Sequence, residues 1–132
     1  MKILLDTTAL IDLMKSDQKV IQVIERIRSD HQMYTTTINL YEIMRGIKLL
    51  NNPKNHLQAV RLLEQNLSIL FLDADSAENA SDIYVQLRKK GIEINEADNL
   101  IAGIARSNGI DKILTRNEKH FRNIEKLQVV TY

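Results

Sequence analysis

Short aliphatic runs recur along this chain, each followed by a stretch whose apolar residues fall three and four apart. Ile3 to Leu5, Met33 to Thr37, Ser68 to Leu72, Lys112 to Leu114 and Gln128 to Thr131 have the length of strands, with β-branched or aromatic side chains among them. Between them lie helical patterns. The first is Ala9 to Lys15, with the hydroxyls of Thr7 and Thr8 ready to cap it, and the second is Gln18 to Ser29, where Val20, Ile21, Ile24 and Ile27 share a face. Leu40, Ile43, Met44 and Ile47 define a third, stopped by Asn51-Asn52-Pro53, and Lys54 to Gln65 a fourth. Ala77, Ala80, Tyr84 and Leu87 mark a fifth, ended by Arg88-Lys89-Lys90-Gly91, and Ala97, Leu100, Ile101, Ile104 and Ala105 a sixth, closed by Asn108-Gly109. Strands alternating with helices of this length predict right-handed crossovers and an α/β fold, a three-layer αβα domain with a mostly parallel central sheet. At 132 residues the expectation is one domain spanning 1–132, able to bury roughly 70% of its unfolded surface.

That architecture gives four short segments a common address. In an open α/β sheet, ligands gather at the carboxyl ends of the strands. Asp6, in Leu4-Leu5-Asp6-Thr7-Thr8, follows the first strand, and Asn117, in Leu114-Thr115-Arg116-Asn117, follows the fourth. Glu42, in Ile38-Asn39-Leu40-Tyr41-Glu42, sits early in the helix after the second strand, while Asp98, in Ala97-Asp98-Asn99-Leu100, opens the helix before the fourth. Carboxylates embedded in apolar sequence are costly unless partnered. Clustered at one rim they repel each other and rise in pKa unless a cation joins them. Hard oxygen donors with no paired histidine or cysteine select Mg²⁺ or Mn²⁺ over zinc.

Charge and cysteine content narrow the partners. Eighteen basic and seventeen acidic residues leave a net charge of +1, so a polyanionic partner must be met by a local patch. There is no cysteine, hence no disulfide framework and no thiolate nucleophile. An acid at position 6 comes too soon for a signal peptide, and no apolar run approaches the roughly 20 residues of a membrane span, which leads to the expectation of a soluble, cytoplasmic protein.

Together, Asp6-Thr7-Thr8-Ala9-Leu10-Ile11-Asp12, Glu42, Asp98-Asn99-Leu100-Ile101-Ala102 and Thr115-Arg116-Asn117 resemble a PIN-domain protein, and the length is similar to that of the VapC-type toxins of prokaryotic toxin–antitoxin pairs. The resemblance covers nearly the whole chain. It implies a metal-dependent endoribonuclease in which Asp6, Glu42 and Asp98 match the catalytic, metal-ligating acids, and Thr8 and Thr115 the hydroxyls that support them. It also implies a homodimer and a cognate antitoxin whose tail enters the active site. Many relatives carry an aspartate where Asn117 stands; as a fourth metal position, Asn117 offers only a neutral oxygen, so a second cation would be held less tightly. Metal-activated water attacking phosphorus would leave a 5′-phosphate and a 3′-hydroxyl.

Arg45 and Arg116 flank the acidic segments and are candidates for substrate contacts or for tethering carboxylates. With 5% aromatic residues and no tryptophan, recognition of RNA is expected to rest on shape and phosphate contacts rather than stacking. Apolar residues around Met44, Ile47, Leu49 and Leu50 are candidates for a dimer interface. Asp12, in the body of the first helix, is read as a secondary hydrogen-bonding residue, and His31, His56 and His120 show no ligand spacing. Asp73-Ala74-Asp75-Ser76 is similar to the aspartate pair of haloacid-dehalogenase-like phosphatases and to the acceptor strand of receiver domains, but its place in the chain favours turn and cap roles. The alternatives kept open are a catalytically weak PIN-like module that binds RNA or protein, and a solitary RNA-processing nuclease.

Overall fold

The computed structural model describes residues 1–132. Its elements are β1 (Lys2–Leu5), α1 (Thr7–Met14), α2 (Gln18–Ile27), β2 (Gln32–Thr36), α3 (Thr37–Lys48), α4 (Lys54–Asn66), β3 (Ser68–Leu70), α5 (Ala74–Lys89), α6 (Glu96–Ser107), β4 (Lys112–Leu114), α7 (Glu118–Phe121) and β5 (Gln128–Val130). The strands form one sheet in the order β3-β2-β1-β4-β5. Every pairing is parallel, with Leu4 opposite Tyr34 on one side and Ile113 on the other.

The central strand explains the layers. Successive side chains of a strand point to opposite faces, and a strand covered on both reads as an unbroken apolar run. Ile3 and Leu5 therefore enter a core shared with Leu10, Val20, Ile43 and Val60, whereas Leu4 enters a second core with Ile83, Ile101, Ile113 and Phe121. Helices α1 to α4 supply the first core and α5 to α7 the second. Complete burial of one such side chain stabilises the fold by about 1.5–3 kcal/mol relative to exposure. No helix is long and apolar enough to cross a membrane.

Several boundaries differ from the pattern in the sequence, each for a local reason. Strand β2 ends at Thr36 because that hydroxyl accepts from the Asn39 backbone N–H while the Asn39 side chain accepts from the Thr36 N–H, a reciprocal box that starts α3 at Thr37. Helix α1 is capped by neither Thr7 nor Thr8: Asp6 occupies the cap position without a side-chain cap bond, since both hydroxyls are engaged across the sheet edge. Strand β3 stops at Leu70, leaving Phe71 and Leu72 exposed. Helix α5 buries Ser76, Ala80, Ile83 and Leu87, while Ala77 and Tyr84 face solvent. Its rotation is set by α6, where a Cβ built on Gly103 would lie 2.6 Å from the Ala80 Cβ and 2.7 Å from the Ala80 N and the Ser76 carbonyl oxygen. Asp73 caps α5, accepting from the Ser76 N–H at 2.9 Å, and that bond holds its carboxyl below the usual range. The turn and cap reading of that acidic stretch is thus the observed one.

Candidate active site

Connections from β1 run towards β2 and β3, whereas the long crossover through α5 and α6 returns to β4 on the other side. The strand order therefore reverses between β1 and β4, the place where two loops diverge and leave a crevice above the carboxyl ends. Asp6 stands at the end of β1 and Thr115 at the end of β4, with the Asp6 N–H donating to the Leu114 carbonyl at 3.0 Å.

Neutral donors hold Asp6. Only 4% exposed, it accepts from the Thr115 hydroxyl at 2.7 Å and from the Asn39 amide at 3.2 Å. Burial pushes its carboxyl up, those hydrogen bonds oppose the shift, and the charge of Glu42 adds to it. The same Asn39 amide donates to Thr7 Oγ1 at 3.0 Å, and the Thr7 hydroxyl donates to Glu42 Oε1 at 2.8 Å. Asn39 is itself fully buried and anchored by the Thr36 hydroxyl at 2.7 Å. A single amide thus sets the spacing of two acids on different elements.

Asp98 reaches the same edge from the first turn of α6. Burial raises its carboxyl to about 6, with the charges of Asp6 and Glu42 adding to the rise and His120 opposing it. Its Oδ2 lies 2.9 Å from Nδ1 of His120, a half-exposed ring on α7. Three acids from three elements therefore share one electrostatic field. Apart from His120 on Asp98, the ion pairs of the chain lie on other acids, so no lysine or arginine offsets Asp6 or Glu42.

This donor set fits a divalent cation. Its donor atoms are hard oxygens, and burial pushes the carboxyls of Asp6 and Asp98 up, a cost to their charged forms that a cation would offset. The acids and histidines do not stand as a ready-made cluster of three in this conformation. Each acid is instead held by its own donor, namely Thr115 and Asn39 on Asp6, Thr7 on Glu42 and His120 on Asp98, so a cation would exchange some of those bonds for its own.

Other expected site residues fall around this centre. The Thr8 hydroxyl lies 3.2 Å from that of Thr115 and accepts the Arg116 N–H at 3.0 Å, which ties α1 to the end of β4. Asn117 donates its backbone N–H to Thr115 Oγ1 at 3.0 Å, and its side chain makes no capping bond. Arg45 does not pair with Glu42; its guanidinium stacks over the Tyr41 ring at 5.1 Å. Arg116 lies with Nε 3.4 Å from Asp12 Oδ2. Of the residues expected at a dimer interface, Ile47 is core, while Leu49 is 83% exposed. The sequence pattern assigned no role at the site to Asn39, Thr7 or His120. For Asn39 a signal existed, an amide inside the apolar stretch Ile38-Asn39-Leu40, whereas the meeting of His120 with Asp98 depends on how α7 folds back on α6.

Comparison with known proteins places the chain by family and fold. A model of the PIN domain matches residues 3–127. The chain is 28% identical to the tRNA(fMet)-specific endonuclease VapC of Shigella flexneri over 97% of this chain and 96% of that protein. It is also 28% identical to Ribonuclease VapC1 of Methanocaldococcus jannaschii, over 99% of this chain and 87% of that one. Among solved structures, DNA-bound VapBC from Salmonella typhimurium superposes with a TM-score of 0.87 at 26% identity, covering 99% of this chain and 98% of that one. VapBC2 from Rickettsia felis, bound to a DNA fragment from its promoter, shares the fold with a TM-score of 0.91 at 20% identity, covering 100% and 99% of the two chains.

Proposed function

The chain belongs to the PIN-domain family, and on that premise we propose that it is a VapC-like, Mg²⁺- or Mn²⁺-dependent endoribonuclease held in check by a cognate antitoxin. The observation that carries this reading is the placement of Asp6, Glu42 and Asp98 at the sheet edge where the strand order reverses, with Asn39 and Thr7 linking the first two and no basic side chain paired to either. Relatives named as VapC endonucleases and ribonucleases support the reaction class. Neighbours solved as VapBC complexes support an antitoxin partner.

Asp6, Glu42 and Asp98 would hold the cation, with Asn117 as a neutral fourth donor. When bound, a divalent cation makes water more acidic and offsets the charge gathering on a phosphodiester in its transition state. The protein's own share is orientation. Thr115 and Asn39 fix the Asp6 carboxylate in rotation and depth, and Thr7 aims Glu42 from the neighbouring helix turn. Thr8 secures the hydroxyl of Thr115, so that the first strand and the fourth present their side chains as one unit. Half-buried Met44 on α3 and exposed Leu49 and Leu50 just past its end are the surface proposed for a second copy of the chain.

Labelled single-stranded RNA tests the proposal directly. Cleavage is expected with Mn²⁺, is lost in EDTA, and returns when Mn²⁺ is restored, and the product ends carry a 5′-phosphate and a 3′-hydroxyl. A 2′,3′-cyclic phosphate would mean that the ribose hydroxyl attacks, and would overturn the hydrolytic reading.

A further inference from the structure

A chain of polar contacts runs from Tyr132 to Asp6 through residues that the proposed cation set does not use. The Tyr132 phenol donates to Asp12 Oδ2 at 2.6 Å, and the same oxygen lies 3.4 Å from Arg116 Nε. The Arg116 N–H donates to Thr8, whose hydroxyl meets that of Thr115, which in turn donates to Asp6 at 2.7 Å. Asp12 is 6% exposed, while the Arg116 side chain is 57% exposed. A buried acid thus anchors a cation that reaches into solvent beside the acidic rim.

The sharing of one oxygen has a consequence. An arginine facing a free carboxylate tends to take both oxygens with two parallel N–H bonds. Here the short phenol bond holds the Asp12 carboxylate by Oδ2, and the guanidinium contact is a single one, Nε at 3.4 Å from that same oxygen, in place of a bidentate pair. The terminal guanidinium nitrogens are left without a protein partner. The phenol stays neutral throughout the working pH range, because burial and the Asp12 charge both hold its proton. RNA nearing three carboxylates meets repulsion, and the other arginine near the rim, Arg45, is stacked on Tyr41.

We infer that Asp12 and Tyr132 are positioning residues that hold Arg116 open to bind a phosphate of the RNA strand beside the acidic site. The inference rests on the proposed nuclease function. Asp12 anchors the guanidinium, and Tyr132 fixes the Asp12 carboxylate that does so.

The test is binding of a fluorescent single-stranded RNA to the full chain in EDTA, together with steady-state cleavage in Mn²⁺. Arg116→Ala is expected to weaken binding about tenfold and to flatten the slope of log affinity against log salt by about 0.7, the loss of one phosphate contact. Arg116→Lys does not restore it, because a point charge lacks the planar fork. Tyr132→Phe weakens binding about threefold and raises KM more than it lowers kcat, and this effect disappears when Arg116 is already alanine. If Tyr132→Phe acts equally in both backgrounds, or lowers only the melting temperature, Tyr132 is a strut of the fold and the inference fails while the nuclease reading stands. A wild-type chain that neither binds nor cleaves RNA overturns both.

Discussion

Asp98→Asn is expected to abolish RNA cleavage, by at least about a hundredfold, and at the same time to make the metal-free protein more stable. The two effects have one cause. In the folded protein the Asp98 carboxyl keeps its proton up to about pH 6, against 3.8 for an ordinary aspartate, because it is buried beside two other acids. Between those values the native state binds more protons than the unfolded chain, so stability falls as pH rises through that window and the loss is complete by pH 7. Replacing the carboxylate by an amide removes the loss. The gain is about 1–2 kcal/mol at neutral pH, smaller than the full proton linkage because solvent screens the rim, and near zero below pH 4. Thermal unfolding in EDTA across pH 4 to 8 measures it directly. Millimolar Mn²⁺ should then raise the melting temperature of the wild type by several degrees and that of Asp98→Asn by much less. A variant that is both inactive and less stable at pH 7 would mean that Asp98 is a structural acid satisfied by His120.

Gly103→Ala should be the most damaging single methyl group that can be added to the second core. The new Cβ would fall 2.6 Å from that of Ala80 and 2.7 Å from the backbone N of Ala80 and the carbonyl oxygen of Ser76. Two of those atoms are main chain, so no rotamer change relieves the contact and α5 must move away from α6. Overpacking of this kind costs about 1–3 kcal/mol, which for a chain of this size lowers the melting temperature by roughly 5–10 °C. The displacement also loosens the Asn99 amide bond to the Ala80 carbonyl, 3.1 Å long, at the residue after Asp98. Ala80→Gly should recover only part of the loss, since the backbone contacts remain. Gly103→Val is expected not to fold. If Gly103→Ala melts within about 1 °C of the wild type, the two helices are not locked at this crossing.

Which parts of this protein were legible in advance follows from the range of the forces involved. Strand and helix alternation is written in local periodicity, and the unbroken apolar run Ile3-Leu4-Leu5 announced a strand covered on both faces. From that alone the acids could be assigned to one edge, since parallel strands end together. The boundaries that moved did so where a side chain chose between neighbours close in space. Thr36 and Asn39 bonded each other and converted the expected last strand residue into the start of a helix. Thr7 and Thr8 would have been good caps in isolation, but Glu42 and Thr115 offered them partners from elements distant in sequence. The α5 face was misjudged by part of a turn because no pattern within α5 records that α6 carries a glycine opposite Ala80.

By itself, then, the order of residues determined the layered parallel fold and the identity of the acids at its rim, because hydrophobic periodicity and chain direction are local properties that survive any detail of packing. Only the tertiary structure decided how those acids are held and charged. The Asn39 amide bridging Asp6 and Thr7, the His120 ring on Asp98 and the shared Asp12 oxygen between Tyr132 and Arg116 join residues as far as 120 positions apart. Hydrogen bonds act over about 3 Å, and desolvation depends on everything packed around a group, so such contacts exist only once the sheet has brought its ends together.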